Sequence, residues 1–394
     1  MKHVTRRNAL LSLAILFAPS AAFAIEVKTG TDEYTLNIDA NLQLRLEETW
    51  GGPPPTTTSG AAPSGHVNTD IFFRRASLSA RGTALKWFWY YIKLESGKFG
   101  ARGDYSVASL LQDVVIGYVP QPDFYFEGGF LKTPLSRPSV DSSERANTLE
   151  GVSDILLYPN TRAQRQMGLQ VRGLLFDHRF LIRGGIYEGA RNGEAGGRPV
   201  TATTPPVNQN GWPMVAAMLR LNLVGYETGY TYPGIYVDGN SYVSVGVGGQ
   251  YQSHSAVGGT VKDDGTLSDY VALSADFFAD VALAGDQEAV FTLDGYHFDY
   301  GDGAPKTGYG LHGEVGYRWG PIGVQASSYW FNSDTKTNSY LRGAGGLTYF
   351  ISKHKAKVML EYEQTIANGT LPNQPDHFPT PWLHQILLQW QLHL

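Results

Sequence analysis

Tyr34-Thr35-Leu36-Asn37-Ile38-Asp39-Ala40-Asn41-Leu42-Gln43-Leu44-Arg45-Leu46-Glu47 alternates without a break. Tyr34, Leu36, Ile38, Ala40, Leu42, Leu44 and Leu46 share one face, and the polar residues between them share the other. A period of two predicts a β-strand, because successive side chains of an extended chain point to opposite sides. The stretch is longer than most strands of globular domains. It suits a tilted bilayer crossing of ~9–11 residues plus its rims. One such strand fits a water-soluble sandwich equally well, so repetition decides.

The pattern repeats to the end of the chain. Ile71–Thr83, Phe88–Glu95, Ser109–Val119, Asp123–Leu131, Gln166–Leu175 and Phe180–Tyr187 read as strands in the first half. Val215–Asn222, Val243–Gln250, Asp269–Val281, Ala289–Asp299, Gly308–Trp319, Ile322–Phe331, Tyr340–Ile351, Ala356–Gln364 and Leu383–Leu394 follow. Short connections, such as Pro120–Pro122 and Gly320-Pro321, alternate with long ones, such as Glu48–Thr69 and Gly189–Gly211. Trp87, Phe88, Trp319, Trp330, Tyr349, Phe350 and Trp382 fall near strand ends, as interfacial girdles would. Together these features predict an all-β fold, a transmembrane antiparallel β-barrel of about 16 strands whose closure leaves no unpaired edge. Gly225–Ser241 interrupts the rhythm, as either a long turn on the short-turn side or an unrecognised hairpin.

Composition agrees with export. Lys2, Arg6 and Arg7 precede the apolar run Ala9–Ala18, and Ala22-Phe23-Ala24 forms a cleavage site. The expected organisation is a signal peptide over residues 1–24 and one barrel over residues 25–394. No apolar run reaches the ~18 residues of a transmembrane helix. Without Lys2, Arg6 and Arg7 the 31 basic residues fall to 28 against 36 acidic ones, which argues against a nucleic-acid partner. There is no Cys, so neither a disulfide scaffold nor a thiolate metal site is available. His297, His312, His354 and His393 lack ligand spacing, and no G-x-S-x-G elbow is present. No cofactor, metal or enzymatic chemistry is expected. The other classes considered are an outer-membrane hydrolase and a soluble secreted β-protein.

Between Asp123–Leu131 and Gln166–Leu175 lies Lys132–Arg165, far too long for a hairpin. It carries Lys132, Arg137, Arg145, Arg162 and Arg165 among Asp141, Glu144, Glu150 and Asp154. Structureless connections of this length are functional or disordered. In a barrel this one is expected to fold into the lumen and set the pore width. The alternative is a surface loop.

Strand parity turns Arg45, Arg75, Arg81, Arg172, Arg183, Arg220, Arg318 and Arg342 inward. Such a wall lowers the cost of bringing an anion out of bulk water. The alternative is mutual neutralisation with Asp39, Glu47, Glu95, Asp113, Glu127, Asp294, Glu314, Glu361 and Glu363. Bases dominate the first half and acids gather near Glu314 and Glu361, an asymmetry that would set a field across the pore.

Phe73-Arg74-Arg75-Ala76-Ser77-Leu78 and Leu111-Gln112-Asp113-Val114-Val115-Ile116-Gly117-Tyr118 resemble segments of the phosphate-selective porin O and P family. So do Gly129-Phe130-Leu131-Lys132-Thr133-Pro134, Gly185-Ile186-Tyr187-Glu188-Gly189 and Leu347–Lys357, in the family's order. The resemblance implies a trimeric sixteen-stranded porin in the outer membrane of a Gram-negative bacterium, embedded in lipid, with a third loop that narrows the channel. It makes Lys93 and Lys132 the lysines placed to serve an anion path. The expected function is a passive channel for small anions, with phosphate implied by the resemblance. The second reading is a general diffusion porin of weak selectivity. The expected pore residues are Arg75, Arg81, Lys93, Lys132, Arg45, Arg172, Arg183 and Arg220.

Overall fold

The computed structural model describes residues 25–28, 33–51, 67–105, 111–149, 165–189, 211–255, 267–301, 304, 307–335, 339–368 and 382–394. The expected signal peptide lies outside the described residues. Seventeen strands form among them. They are β1 (Ile25–Lys28), β2 (Thr35–Gly51), β3 (Val67–Ala84), β4 (Phe88–Phe99), β5 (Leu111–Gln121) and β6 (Phe124–Lys132). β7 (Arg165–Leu175), β8 (Phe180–Tyr187), β9 (Met214–Val224), β10 (Tyr242–Gln252), β11 (Tyr270–Ala282) and β12 (Gln287–Asp299) continue. β13 (Gly308–Trp319), β14 (Ile322–Ser333), β15 (Ser339–Ser352), β16 (Ala356–Asn368) and β17 (Trp382–His393) complete the set.

Each of β2–β17 pairs antiparallel with its neighbours in sequence, and β17 pairs with β2 to close a sixteen-stranded barrel. The seam runs from Leu383↔Gly51 to His393↔Asn41, and Leu394 exchanges both backbone bonds with Ala40. β1 pairs with residues 35–38 of β2, the edge that β17 leaves uncovered. At four residues, β1 is too short for alternation to mark it in the sequence.

The faces are the reverse of those in a water-soluble protein. Leu311, Val315, Tyr317 and Trp319 on β13 are exposed, Trp319 at 68%, while His312 and Glu314 between them are buried. β14 repeats this, with Ile322, Val324 and Trp330 outside and Gln325, Ser327 and Tyr329 inside. A contiguous apolar outer surface of this kind belongs against hydrocarbon. Phe88, Tyr118, Trp319 and Tyr349 ring the short-turn end as exposed aromatics. Phe350 does not join them. Tyr349 and Ile351 take the outward positions, so Phe350 points inward and packs with Ile235 and Val237.

Turn chemistry explains the tight end. Trp319 pairs directly with Ile322, leaving Gly320-Pro321 as a two-residue turn in which Gly320 adopts φ +56°. Gly225–Ser241 contains no strand among the described residues. It is a long connection on the short-turn side, and it runs inward.

An aromatic inner layer on β11–β15 departs from the expected polar lumen. Tyr270, Tyr296, Phe298, Tyr329, Phe331 and Tyr340 are buried there and cluster with Leu131 and Leu135. Strands apolar on both faces have a core behind them, and here that core is the connection after β6.

Candidate functional site inside the barrel

Two connections enter the lumen from opposite ends. Residues 133–149, after β6, come from the long-loop end; residues 225–241, between β9 and β10, come from the short-turn end. They meet at a parallel bridge between Asp141 and Tyr232. Ser142 N–H donates to the Tyr232 carbonyl at 2.7 Å, and Tyr232 N–H donates to the Val140 carbonyl at 3.2 Å. Gly234 N–H donates to the Arg145 carbonyl at 2.9 Å. Residues 150–164 lie outside the described residues.

Segments without ladders of their own need acceptors for their N–H groups. The acids of the second half supply them. Leu149 N–H reaches Glu361 at 3.2 Å, and the Asn147 and Thr148 side chains both donate to Glu314 at 2.9 Å. Arg137 N–H donates to Asp276 at 3.2 Å. Tyr236 N–H donates to Asp280 at 2.7 Å and Val237 N–H to Glu288 at 2.9 Å. The carboxylates clustered on β11–β16 are thus covered by the inserted segments. They fasten those segments to one wall.

The opposite side stays open. A cavity of about 1050 Å³ lies between β2–β7 and the inserted segments, lined by nine Lys and Arg against five Asp and Glu. Arg75, Arg81, Lys93, Lys132 and Arg172 are on its wall. Arg81 is the most accessible of these, with a side-chain exposure of 61%. Arg75 lies 3.5 Å from Glu95, Arg81 3.4 Å from Asp39, and Arg172 2.7 Å from Glu127. Lys132 Nζ donates to the Asp141 carbonyl. Arg45, Arg183 and Arg220 lie off this lining and are buried. Arg45 donates to Gln389, Arg183 to the Tyr230 carbonyl, and Arg220 pairs with Asp276.

Charge on the inserted segments is set by burial against pairing. Burial pushes the Asp141 carboxyl up to about 6, despite Arg137 and Lys132 beside it. Burial also raises Glu144, but Lys93 Nζ at 2.6 Å outweighs it and holds the carboxyl down to about 2. Among the described residues no cluster of His, Cys, Asp and Glu is arranged to hold a metal ion.

Several lining residues escaped the parity argument. Arg74 reaches the cavity because the register shifts within β3, opposite Gln43/Leu44, and admits an extra residue. An arginine on an otherwise apolar face was the available signal. Arg145 comes from the long connection, where parity has no meaning, and Arg165 opens β7 opposite Lys132, at the end of the stretch expected to be that connection. Inward glycines also carried information. A Cβ at Gly248 would strike the Leu135 carbonyl, and one at Gly316 would crowd the Asn147 side chain. Such glycines mark where the inserted segment lies against the wall.

Comparison with known proteins follows the same line. Residues 64–223 match the family model described as phosphate-selective porin O and P. No protein of curated function matches the chain in sequence. Among solved structures, an anion-selective porin from Comamonas acidovorans is similar at a TM-score of 0.57 and 11% identity, over 92% of this chain and 100% of that one. OprB of Pseudomonas putida is similar at 0.59 and 10% identity, over 92% and 94%. The trimer form of OmpT from Vibrio cholerae is similar at 0.51 and 13% identity, over 91% and 99%. These likenesses are of fold. The match covers residues 64–223, less than half of the chain; with the closed sixteen-stranded barrel it supports a Gram-negative outer-membrane channel that resembles the phosphate-selective porin O and P family over that part.

Proposed function

We propose that the barrel is a passive channel for small anions, with inorganic phosphate the permeant suggested by the family's description. The observation that carries this reading is the nine-to-five excess of basic over acidic residues on the open cavity. Asp276, Asp280, Glu288 and Glu361 accept backbone N–H groups of the inserted segments and do not line the open cavity. An anion that sheds part of its hydration then meets fixed donors, and their spacing keeps any one site weak enough for release. Arg75, Arg81, Lys93, Lys132 and Arg172 act on the wall. Arg45, Arg183 and Arg220 act at one remove, by holding wall and segments in place. Residues 133–149 narrow the path. The barrel sits in lipid, and a trimer is the assembly that the Vibrio cholerae neighbour suggests.

A general diffusion porin of weak selectivity is the second reading. It is favoured by the ion pairs Arg75–Glu95, Arg81–Asp39 and Arg172–Glu127, which neutralise part of the wall. The zero-current potential in a potassium chloride gradient separates the two. A clear displacement towards the chloride equilibrium potential is expected, and added phosphate should reduce the chloride current. A potential near zero replaces the first reading with the second.

A further inference from the structure

Charge is not the only unusual feature of the open cavity. Trp89, Tyr91, Tyr125 and Tyr230 all line it, and all are half-buried. Three belong to the barrel wall near the short-turn end of β4 and β6; the fourth comes from residues 225–241. Trp89 meets Tyr125 edge-on at 6.4 Å, and Tyr230 lies 6.0 Å from Trp89 and 5.7 Å from Tyr91. The wall is shaped for this group. Trp89 stands opposite Gly117 on β5, and a Cβ on Gly117 would overlap the indole. Cations flank it on both sides. Arg81 is the cross-strand partner of Tyr91, and Arg172 is that of Tyr125, with its guanidinium 4.0 Å over the tyrosine ring.

This surface is poorly suited to a bare inorganic ion. Ring faces carry the negative lobe of the aromatic quadrupole and offer a hydrated anion no donor. Four such rings on a water-filled path replace hydration without compensating it. A flat organic anion is different. Its ring can lie against Trp89 and Tyr125 in offset or edge-on contact while its carboxylate reaches a guanidinium. Neutral sugars also pack on aromatic faces, but the cations bordering these rings, Arg81 beside Asp39 and Arg172 beside Glu127, are guanidinium ions, which recognise carboxylates.

We infer that Trp89, Tyr91, Tyr125 and Tyr230, between Arg81 and Arg172, form a binding station for aromatic carboxylates on their way through the pore. The inference rests on the anion-channel reading and adds aromatic carboxylates to the inorganic anions named there. Tyr230 is held at this wall by its hydroxyl, which accepts from the Lys132 N–H at 2.9 Å and donates to Asp113 at 3.4 Å.

The test uses the full-length channel in planar bilayers, with benzoate, acetate, glucose and inorganic phosphate added singly to a chloride solution. Block is normalised to each channel's own chloride current. Benzoate should half-block at a concentration roughly fivefold below acetate, the ratio expected for one aromatic contact. In Trp89→Leu, and separately in Tyr125→Leu, that ratio should fall towards one. Equal block by benzoate and acetate, or a ratio unchanged in both variants, overturns the inference, as does block by glucose at benzoate's concentration. Failure of the anion-channel reading shows separately, as a cation-side zero-current potential in the parent before any organic anion is added.

Discussion

Arg137 and Glu227 meet inside the barrel, having entered it from opposite ends. The guanidinium binds the carboxylate through Nη2 at 2.7 Å and Nε at 3.0 Å, with side-chain exposures of 1% and 2%. Arg137 also donates to the Pro233 carbonyl at 2.6 Å and stands 3.4 Å over the Phe278 ring. Burial works against the charge on Glu227, and Arg137 and Arg220 together hold its carboxyl below the ordinary range. This pair couples the two inserted segments, so neither can move without the other.

Glu227→Ala would leave the Arg137 charge buried without its main partner. The expected cost is ~3–5 kcal/mol, as for other broken buried pairs. Because the barrel ladders do not depend on this contact, the loss should appear locally. Single-channel records should show new open sublevels while heat-modifiable mobility on gels stays that of a folded barrel. A record as quiet as the parent's would mean that the pair does not secure the segments.

Outer-face predictions follow from depth. Leu388 pairs with Leu46 and Leu360 midway along its strand, whereas Leu42 pairs with Leu392, close to the chain's end. Leu388→Arg should therefore cost ~2–4 kcal/mol in lipid and Leu42→Arg less, about 0–1 kcal/mol if it reaches the interface. Urea titration in lipid vesicles measures both. Equal costs would displace the membrane from the position that the aromatic rings imply.

Most of the barrel was legible because alternation is local. All sixteen strands of the barrel wall were read within a few residues of their ends, and Gly308–Trp319 was read without error. What alternation cannot express is what fills the lumen. Tyr296 and Phe331 face inward on strands apolar on both sides, which parity assigns ambiguously. Their role appears only once Leu135 lies against them. In the same way Glu314 and Glu361 were legible as inward acids, yet their use as acceptors for Asn147, Thr148 and Leu149 depends on a connection whose path has no sequence period. The eight candidate bases divided for that reason. Arg81 and Arg220 have the same parity, but only Arg220 lies under an inserted segment.

The Lys93–Glu144 contact gives the channel a defined acid limit. The Glu144 carboxyl lies at about 2, below its ordinary value of 4.5, so the contact contributes fully above about 4.5 and is lost as pH falls through about 2. Below about pH 4.5, beneath the separate step near pH 6 that Asp141 brings, conductance should become noisy as residues 141–145 loosen from β4. Glu144→Gln should bring that noise to neutral pH and remove its pH dependence in this window. If the noise of the glutamine variant still rises with acid below 4.5, another carboxyl is responsible.

Selectivity should follow cavity exposure and not the number of arginines. Arg75 and Arg81 face the open cavity from β3, with side-chain exposures of 16% and 61%. Arg220 shares their inward parity but is fully buried against Asp276. Lumen charges are screened over about 8 Å at physiological salt, so only those beside the ion path act on a permeating ion. Reversing Arg75 and Arg81 together to Glu turns two local attractions into repulsions beside Glu95 and Asp39. The zero-current potential in a salt gradient should move towards the cation side, and the move should shrink as ionic strength rises. Arg220→Met should instead leave the sign of the potential alone and lower the stability of the barrel interior, because Asp276 and Glu227 lose a buried partner. The decisive outcome is the contrast. If Arg220→Met shifts the potential as far as the double reversal does, the ions pass through the region beneath the inserted segments, and the cavity along β2–β7 is not the conducting path.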